Sequence, residues 1–231
     1  SPDGHVIARH ARLRARLPAH EQTACEFRTA HDVTMWPLQL VEARLTAAPP
    51  DLPIAGYRWG APVRGALRMT FETTAQIPVS ALKVDSLPVF IKGTPDTATR
   101  LQELLHTQCV GLMVHAGGLP IRSLVPLQAD ALRPEGYRTD QAMLPVDSRA
   151  FDGHRLLHEY FAFPERYRFF SINHLQRVLP QIAGTRFEVV VLLKQASAPL
   201  EAVVDADSFA LYCSPVVNLV QRTSDRIPVT S

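Results

Sequence analysis

The chain has 231 residues, of which 46% are apolar and 20% are charged. This composition supplies enough core-forming side chains for one large or two small globular domains, which excludes disorder as the default interpretation. The formal charge is only +2, with acids and bases interspersed, so the chain carries no electrostatic footprint for nucleic acid or anionic lipid. The one basic cluster, residues 9–16, also contains Leu13 and is predicted to be a solvated face.

Three cysteines, Cys25, Cys109 and Cys213, lie far apart in the sequence and cannot all pair. They indicate a reducing compartment and small buried thiols. The longest apolar run, residues 189–193, is far shorter than the roughly 18 to 20 residues that span a bilayer. We therefore expect a cytoplasmic chain without membrane insertion. Because it starts at Ser1 without methionine and stops after a strand-like segment, we also expect an internal piece of a longer protein.

The first half predicts strands separated by turns. Extended segments are expected at residues 26–29, 33–40, 67–71 and 89–91, and the segment 47–62 is rich in Pro and Gly and predicts a loop or hinge. A helix is predicted over residues 95–107, because Thr94 is a good cap and Pro95 suits the first helical position. Two strands, 109–114 and 121–127, are expected around a Gly117-Gly118 turn, which gives a small α/β unit.

The second half begins with a loop over residues 133–153, where we place a boundary. A short helix at 155–160 is expected to end before Pro164, and Asn173 is a fair cap for a brief helix through Val178. Strands are predicted at 169–172, 187–193 and 209–213, and the second of these is apolar on both faces.

These elements predict an α+β fold of strand-rich mixed sheets with a few short helices. Two intimately packed modules are expected. Residues 1–135 would form a strand-rich module with the small α/β unit, and residues 136–231 a second module with a buried strand. The nineteen prolines favour many strand ends and loops.

Candidate catalytic and metal-binding residues do not combine into a known pattern. His154 and His158 share a helix face but lack further ligands, and His106, Cys109 and His115 are explained by a helix end and a strand. Asp205 and Asp207 follow an apolar stretch, which is also a common place for a turn. We predict no enzyme, no cofactor and no metal. The alternative is a metal-dependent hydrolase that uses Asp205, Asp207, His154 or His158.

The most distinctive segment is residues 155–170, which contains six of the ten Phe and five Tyr residues. Aromatic side chains bury large areas and anchor both cores and interfaces. The sequence leaves both roles open for this segment.

Three motifs stand out along the chain: Phe27-Arg-Thr-Ala-His-Asp-Val-Thr-Met-Trp-Pro-Leu38, the segment 153–170 with its Arg-Leu-Leu-His-Glu-Tyr-Phe-Ala-Phe-Pro run, and Cys213-Ser-Pro-Val-Val-Asn-Leu219. Together they resemble the TssF family of type VI secretion baseplate proteins. Their order and spacing match the family patterns.

The resemblance implies a structural subunit of the wedge in a contractile, phage-tail-like injection machine, docked near the inner membrane. Its expected partners are a TssG-type wedge protein, a second TssF copy, a TssE-type sheath initiator and a TssK-type adaptor. No catalytic residue or cofactor is implied.

Within the aromatic segment we predict Tyr160, Phe163 and Tyr167 as protein-interface residues. A third hypothesis is a carbohydrate- or peptide-binding module of a tail-like particle. That hypothesis predicts an exposed groove lined by aromatic side chains.

Overall fold

The structure is a computed structural model that describes residues 1–14, 24–118, 120–144 and 151–218. Within these ranges the chain forms fourteen β-strands and three α-helices. In chain order they are β1 (His5–Ile7), β2 (Arg12–Arg14), β3 (Glu26–Thr29), β4 (Val33–Met35), β5 (Leu38–Ala47), β6 (Gly65–Thr73), β7 (Leu87–Ile91), α1 (Pro95–Gln108), β8 (Cys109–His115), β9 (Val125–Gln128), β10 (Leu132–Pro134), α2 (Asp152–Ala162), β11 (Phe169–Ile172), β12 (Arg186–Leu193), α3 (Ala198–Glu201), β13 (Phe209–Leu211) and β14 (Val216–Val217).

The strands form four sheets. The largest has the order β5-β6-β12-β8-β9, the next has the order β10-β11-β7-β13, and two small sheets are β14-β3-β2 and β1-β4. The α+β class is confirmed. Where mixed sheets were expected, every strand pair in the described ranges is antiparallel. The reason is that α1 connects β7 to β8, which lie in different sheets, so the helix does not form a parallel crossover.

Strand β12 occupies the centre of the largest sheet and is covered on both faces, as its sequence predicted. It pairs with β6 over all eight of its residues and with β8 from Glu188 to Leu193. Val189 and Val191 face the main core beneath α1, whereas Val190 and Leu192 face a second cluster. That second cluster is closed by Leu52 and Trp59 from the predicted loop 47–62, so this loop forms a lid on the sheet.

Both larger sheets combine strands from before and after residue 135. In the largest sheet β12 lies between β6 and β8, and in the four-stranded sheet β11 lies between β10 and β7. A cut at residue 135 would therefore separate hydrogen-bonded strands. The division into modules 1–135 and 136–231 stays a prediction about folding units, and the strand pairing does not favour it.

The predicted helix at 95–107 is confirmed as α1. The Thr94 side chain accepts a hydrogen bond from the Thr97 amide at 3.4 Å, and Pro95 occupies the first turn. Its buried residues include Leu101, Leu104 and Leu105, the expected stripe. The antiparallel pairing of β8 and β9 is also confirmed, with Gly117 and Gly118 both at positive φ in the connection, but β9 begins at Val125 and not at the predicted residue 121.

The prediction that Asn173 caps a brief helix through Val178 is wrong about the start of that helix. His174 adopts a left-handed conformation at φ 65°, and a 3₁₀ turn follows at Leu175–Arg177. The Asn173 amide instead donates to the carbonyl oxygens of Ala131 and Ser171, both at 3.2 Å, which fastens the end of β11 to its neighbour. The residue that flanks the 3₁₀ turn is His174, and no side chain within the described residues caps the turn.

Some predictions fall on residues that the structure does not describe. Positions 15 and 16 of the basic cluster and 145–150 of the predicted loop lie outside the described residues, as does Leu219 of the third motif.

Across the described ranges, no helix has the length and apolar character needed to cross a membrane.

Gly111 in β8 lies directly under the Trp59 ring. A Cβ atom at this position would overlap the ring and would lie 2.9 Å from the Leu127 carbonyl oxygen. The Trp59 indole is itself fixed by a 3.0 Å hydrogen bond to the Ile54 carbonyl oxygen. The absence of a side chain at residue 111 is therefore what allows the lid to close on the sheet.

We predict that Gly111→Ala lowers the free energy of unfolding by about 2 kcal/mol, because the added methyl group forces the lid away from a packed sheet. Urea unfolding followed by tryptophan fluorescence measures this. Gly56→Ala is the matched control, since a Cβ there meets nothing within 4 Å. Equal stability of the two variants would show that the close approach has no energetic consequence.

Candidate protein-protein interface

The aromatic segment is divided among three elements. Helix α2 carries its first part, a 3₁₀ helix at Pro164–Tyr167 follows, and β11 carries the end. Phe163 leaves the helical conformation with ψ 77°, as expected for a residue before proline. Helix α2 is longer than the predicted 155–160, but it ends before Pro164, as expected.

The end of the segment belongs to the core. Phe170 is fully buried and meets the Phe209 ring at 6.3 Å, and Phe169 packs on Phe90 at 4.8 Å. Phe170 joins the main core, whereas Phe169, the preceding residue of the strand, lies on the other face of the sheet beside His31. The core interpretation is thus correct for β11.

The three predicted interface residues have different surroundings. Tyr160 and Phe163 are 53% and 39% exposed, whereas Tyr167 is only 5% exposed. The Tyr167 hydroxyl donates to the Leu156 carbonyl oxygen at 3.1 Å, and its ring packs between those of Tyr137 and Tyr160. The Tyr167 side chain therefore fastens α2 to the 3₁₀ helix. Its burial also leaves little of its surface for contact with another protein.

The structure adds three exposed side chains that the sequence analysis did not select. Phe161 is 80% exposed, Phe151 73% and Leu157 58%. Together with Tyr160 and Phe163 they form what we name the α2 aromatic surface. Leu157, Tyr160 and Phe161 are related by three and four residues and so share one helix face. That spacing was visible in the sequence, but it is equally typical of a face turned toward the core.

The opposite side of α2 is held by buried charges. Glu159 is fully buried, and its Oε1 accepts hydrogen bonds from the amides of Met143 at 2.8 Å and Leu144 at 3.1 Å. Arg155 donates to Glu159 Oε2 at 3.1 Å and to Asp152 Oδ1 at 2.7 Å. The Asp152 carboxylate raises the pKa of Arg155, although burial opposes this. The helix thus turns a carboxylate inward and aromatic rings outward.

We predict that Glu159→Ala lowers the free energy of unfolding by about 3 kcal/mol, because two amides and one guanidinium lose their buried acceptor. Glu159→Gln retains an acceptor oxygen and is expected to have a smaller effect. Hydrogen exchange of the α2 amides together with urea unfolding measures both.

The control for that experiment is Glu42→Ala. Its carboxylate lies 3.6 Å from the Arg44 guanidinium, both side chains are exposed, and such a surface ion pair is worth less than about 1 kcal/mol. Unchanged α2 exchange in Glu159→Ala would contradict the anchoring role.

A groove of about 470 Å³ runs beside the α2 aromatic surface. It separates α1 from the start of the 3₁₀ helix, and Tyr160 belongs to both the groove and the surface. Tyr137, Pro164 and Tyr167 form one wall, and Gln102 and His106 of α1 lie on the other. The hypothesis of a ligand-binding module predicted an aromatic-lined groove, and this groove has that character. Because it is continuous with the exposed rings, we treat the two as one contact region.

The candidate metal ligands are not grouped into one site within the described residues. Across the described residues, no three His, Cys, Asp or Glu side chains are grouped so that they could hold an ion. His154 packs its ring against the Phe151 ring at 5.6 Å, and Asp205 caps a 3₁₀ helix by accepting from the Ser208 amide at 3.1 Å. Burial raises the pKa of the Cys109 thiol to about 11, which keeps it protonated and unsuited to bind metal.

His115 belongs instead to a charged cluster on the largest sheet. Its Nε2 lies 3.1 Å from Glu188 Oε2, and Arg68 donates to both Glu188 oxygens at 2.5 and 2.9 Å. Arg68 also donates to Asp51 at 2.9 Å. Burial favours a higher pKa for Glu188, but the hydrogen bonds from Arg68 and His115 outweigh it and lower the pKa to about 2.

This lowered pKa predicts acid-dependent stability. A carboxyl group whose pKa falls on folding stabilises the fold above its unfolded value of 4.5 and loses that effect as the pH falls toward 2. We expect the chain to lose roughly 2 kcal/mol across this window through Glu188, and Glu188→Gln to lose less of its stability there. Urea unfolding at a series of pH values measures the difference. Glu42→Gln is the control, because this exposed carboxylate lines the same surface cavity as Arg68, His115 and Glu188; the variant should match the unmodified chain.

The described residues thus form an antiparallel α+β fold in which α2 exposes apolar side chains beside a groove. Comparison with known proteins identifies the family. The sequence model of the family described as "Type VI secretion system, TssF" matches residues 1–231. The chain belongs to the TssF family.

Two relatives show how much of the family's length is present. The type VI secretion system component TssF1 of Pseudomonas aeruginosa is 38% identical over 236 residues, which cover 97% of this chain and 36% of that protein. A chain in the cryo-electron microscopy structure of the type VI secretion system TssK-TssF-TssG baseplate subcomplex has the same fold, with a TM-score of 0.74 and 21% identity. The match covers 99% of this chain and 40% of that one. The chain thus spans little more than a third of the length of these two relatives.

Proposed function

We propose that this chain is part of a structural subunit of a type VI secretion baseplate wedge and that the α2 aromatic surface is one of its protein contacts. The observation that carries the proposal is that α2 buries a charged side chain and exposes large apolar ones. Large apolar side chains are normally inside, and a group of them exposed together marks a contact region. Here Phe161 is 80% exposed while Glu159, on the same helix, is fully buried.

The anchoring of α2 supports a preformed contact. The Arg155 and Glu159 pair fixes the helix from beneath, and the Tyr167 hydroxyl fixes it to the following 3₁₀ helix. A helix that is already held in place loses little backbone conformational entropy when a partner binds. The exposed rings are therefore suited to be anchors of an interface.

The proposed partners are TssG-type and TssK-type proteins, because the structural relative lies in a subcomplex named for TssK, TssF and TssG. Family resemblance adds a second TssF copy and a TssE-type sheath initiator. The subunit would work in the cytoplasm, at a baseplate docked near the inner membrane, without catalysis or a cofactor. No observation favours the hydrolase alternative.

We predict that Leu157→Ser combined with Phe161→Ser abolishes co-purification with a TssG-type partner and leaves the urea midpoint of the chain alone unchanged. Both side chains are mainly in solvent, so their loss removes contact area without opening the core. Val203→Ser is the matched control, since Val203 is 54% exposed at a site away from α2.

Tyr160→Ala combined with Phe163→Ala tests the residues that the sequence selected. It is expected to weaken the same partner and also to lower stability slightly, because Tyr160 packs on Tyr167. If the Leu157 and Phe161 double variant is folded and binds TssG-type and TssK-type proteins normally, the α2 aromatic surface is not a contact with either of them.

A further inference from the structure

A second cavity, on the other side of the 3₁₀ helix, has no role in the proposed contact. We name it the Arg166 cavity. It has a volume of about 300 Å³ and lies where the N-terminal strands, the residues after β10 and the 3₁₀ helix meet. Its charged lining consists of Arg9, His31, Asp32, Glu135, Asp140 and Arg166.

Arg166 is a buried cation with unused hydrogen-bond donors. Only 1% of its surface is exposed, and its Nη2 donates to the Gln141 carbonyl oxygen at 2.8 Å. Its Nε and Nη1 have no acceptor within the described residues, and the Glu159 and Glu135 carboxylates, whose charges act on the guanidinium, make no hydrogen bond to it. A guanidinium stays charged in proteins, so such burial normally requires a partner. Burial accordingly lowers the pKa of Arg166.

The acidic residues of the cavity are engaged with other groups. Asp32 accepts from the Arg9 amide at 2.6 Å, Asp140 from the Arg138 guanidinium at 2.7 and 3.0 Å, and Glu135 from the Gln141 side chain. The Nε of Arg9 also has no acceptor in the described part of the chain. Two guanidinium groups thus retain donors beside one cavity.

We propose that the Arg166 cavity binds a carboxylate, held by charge-assisted hydrogen bonds from Arg166. A carboxylate is the ordinary planar partner of a guanidinium and carries one negative charge. The three acids of the lining repel any anion, and they repel a doubly charged sulfate or phosphate more strongly than a singly charged carboxylate. The volume admits an acidic side chain or a small organic acid and is too small for a nucleotide.

The test uses sodium acetate as the probe and sodium chloride of equal ionic strength as the reference. Acetate is expected to shift the side-chain N–H resonance of Arg166 in the unmodified chain and to raise its melting temperature. Arg166→Gln should weaken acetate binding at least about tenfold. Arg100→Gln is the matched control, because Arg100 is an exposed arginine on α1 that pairs with Asp96.

The resonance shift is measured on the unmodified chain and does not depend on the folding of a variant. Absence of the shift, or equal acetate binding by Arg166→Gln, overturns the proposal. Tighter binding of sulfate than of acetate also overturns it.

The purified protein is then denatured, and mass spectrometry is used to look for a released acid. This measurement identifies the source of the natural carboxylate. A stoichiometric small organic acid identifies a free ligand. Acetate binding without any released acid identifies an Asp or Glu side chain of a polypeptide. This test is independent of the α2 aromatic surface, so either idea can fail alone.

Discussion

The pairing of β12 with β6 and β8 is the constraint on which the rest of the structure depends. Strand β12 is paired on both edges and covered on both faces, so all of its residues from Phe187 to Leu193 are buried. Its partners come from residues 65–73 and 109–115, more than seventy positions earlier in the chain. This long-range contact places α1, the Trp59 lid and the charged cluster around one sheet. It also means that the sheet forms only after both halves of the chain are present.

Helix α2 depends on that framework and differs from an ordinary amphipathic helix. Its inner side is fixed by the Glu159 carboxylate, which satisfies two loop amides and one arginine in a place that water does not reach. Such a group is stabilising only when its partners are complete. With the polar side turned inward, Phe161 and Leu157 are left in solvent. The helix therefore carries exposed apolar side chains on a backbone that buried polar contacts hold in place.

Two cavities flank the same 3₁₀ helix, and they differ in chemistry. The groove beside Tyr160 has tyrosine and proline in one wall, whereas the Arg166 cavity is lined by charges. Tyr167 and Arg166 are adjacent in sequence and line different cavities. The short helix after Pro164 thus contributes one residue to the tyrosine-lined groove and another to the charged cavity. Its buried arginine also packs 5.9 Å above the Phe169 ring, which joins the helix to the four-stranded sheet.

The sequence by itself determined the local elements, because capping, proline and alternation act over a few residues. Thr94 and Pro95 started α1, Pro164 ended α2, and the apolar run around Val189 marked the doubly covered strand. The three motifs determined the family. Only the tertiary structure decided which sheets the strands join, because pairing partners far apart in sequence leave no local signal. It also decided that Tyr167 is buried and Phe161 exposed, since helical spacing defines a face but not the direction in which that face points.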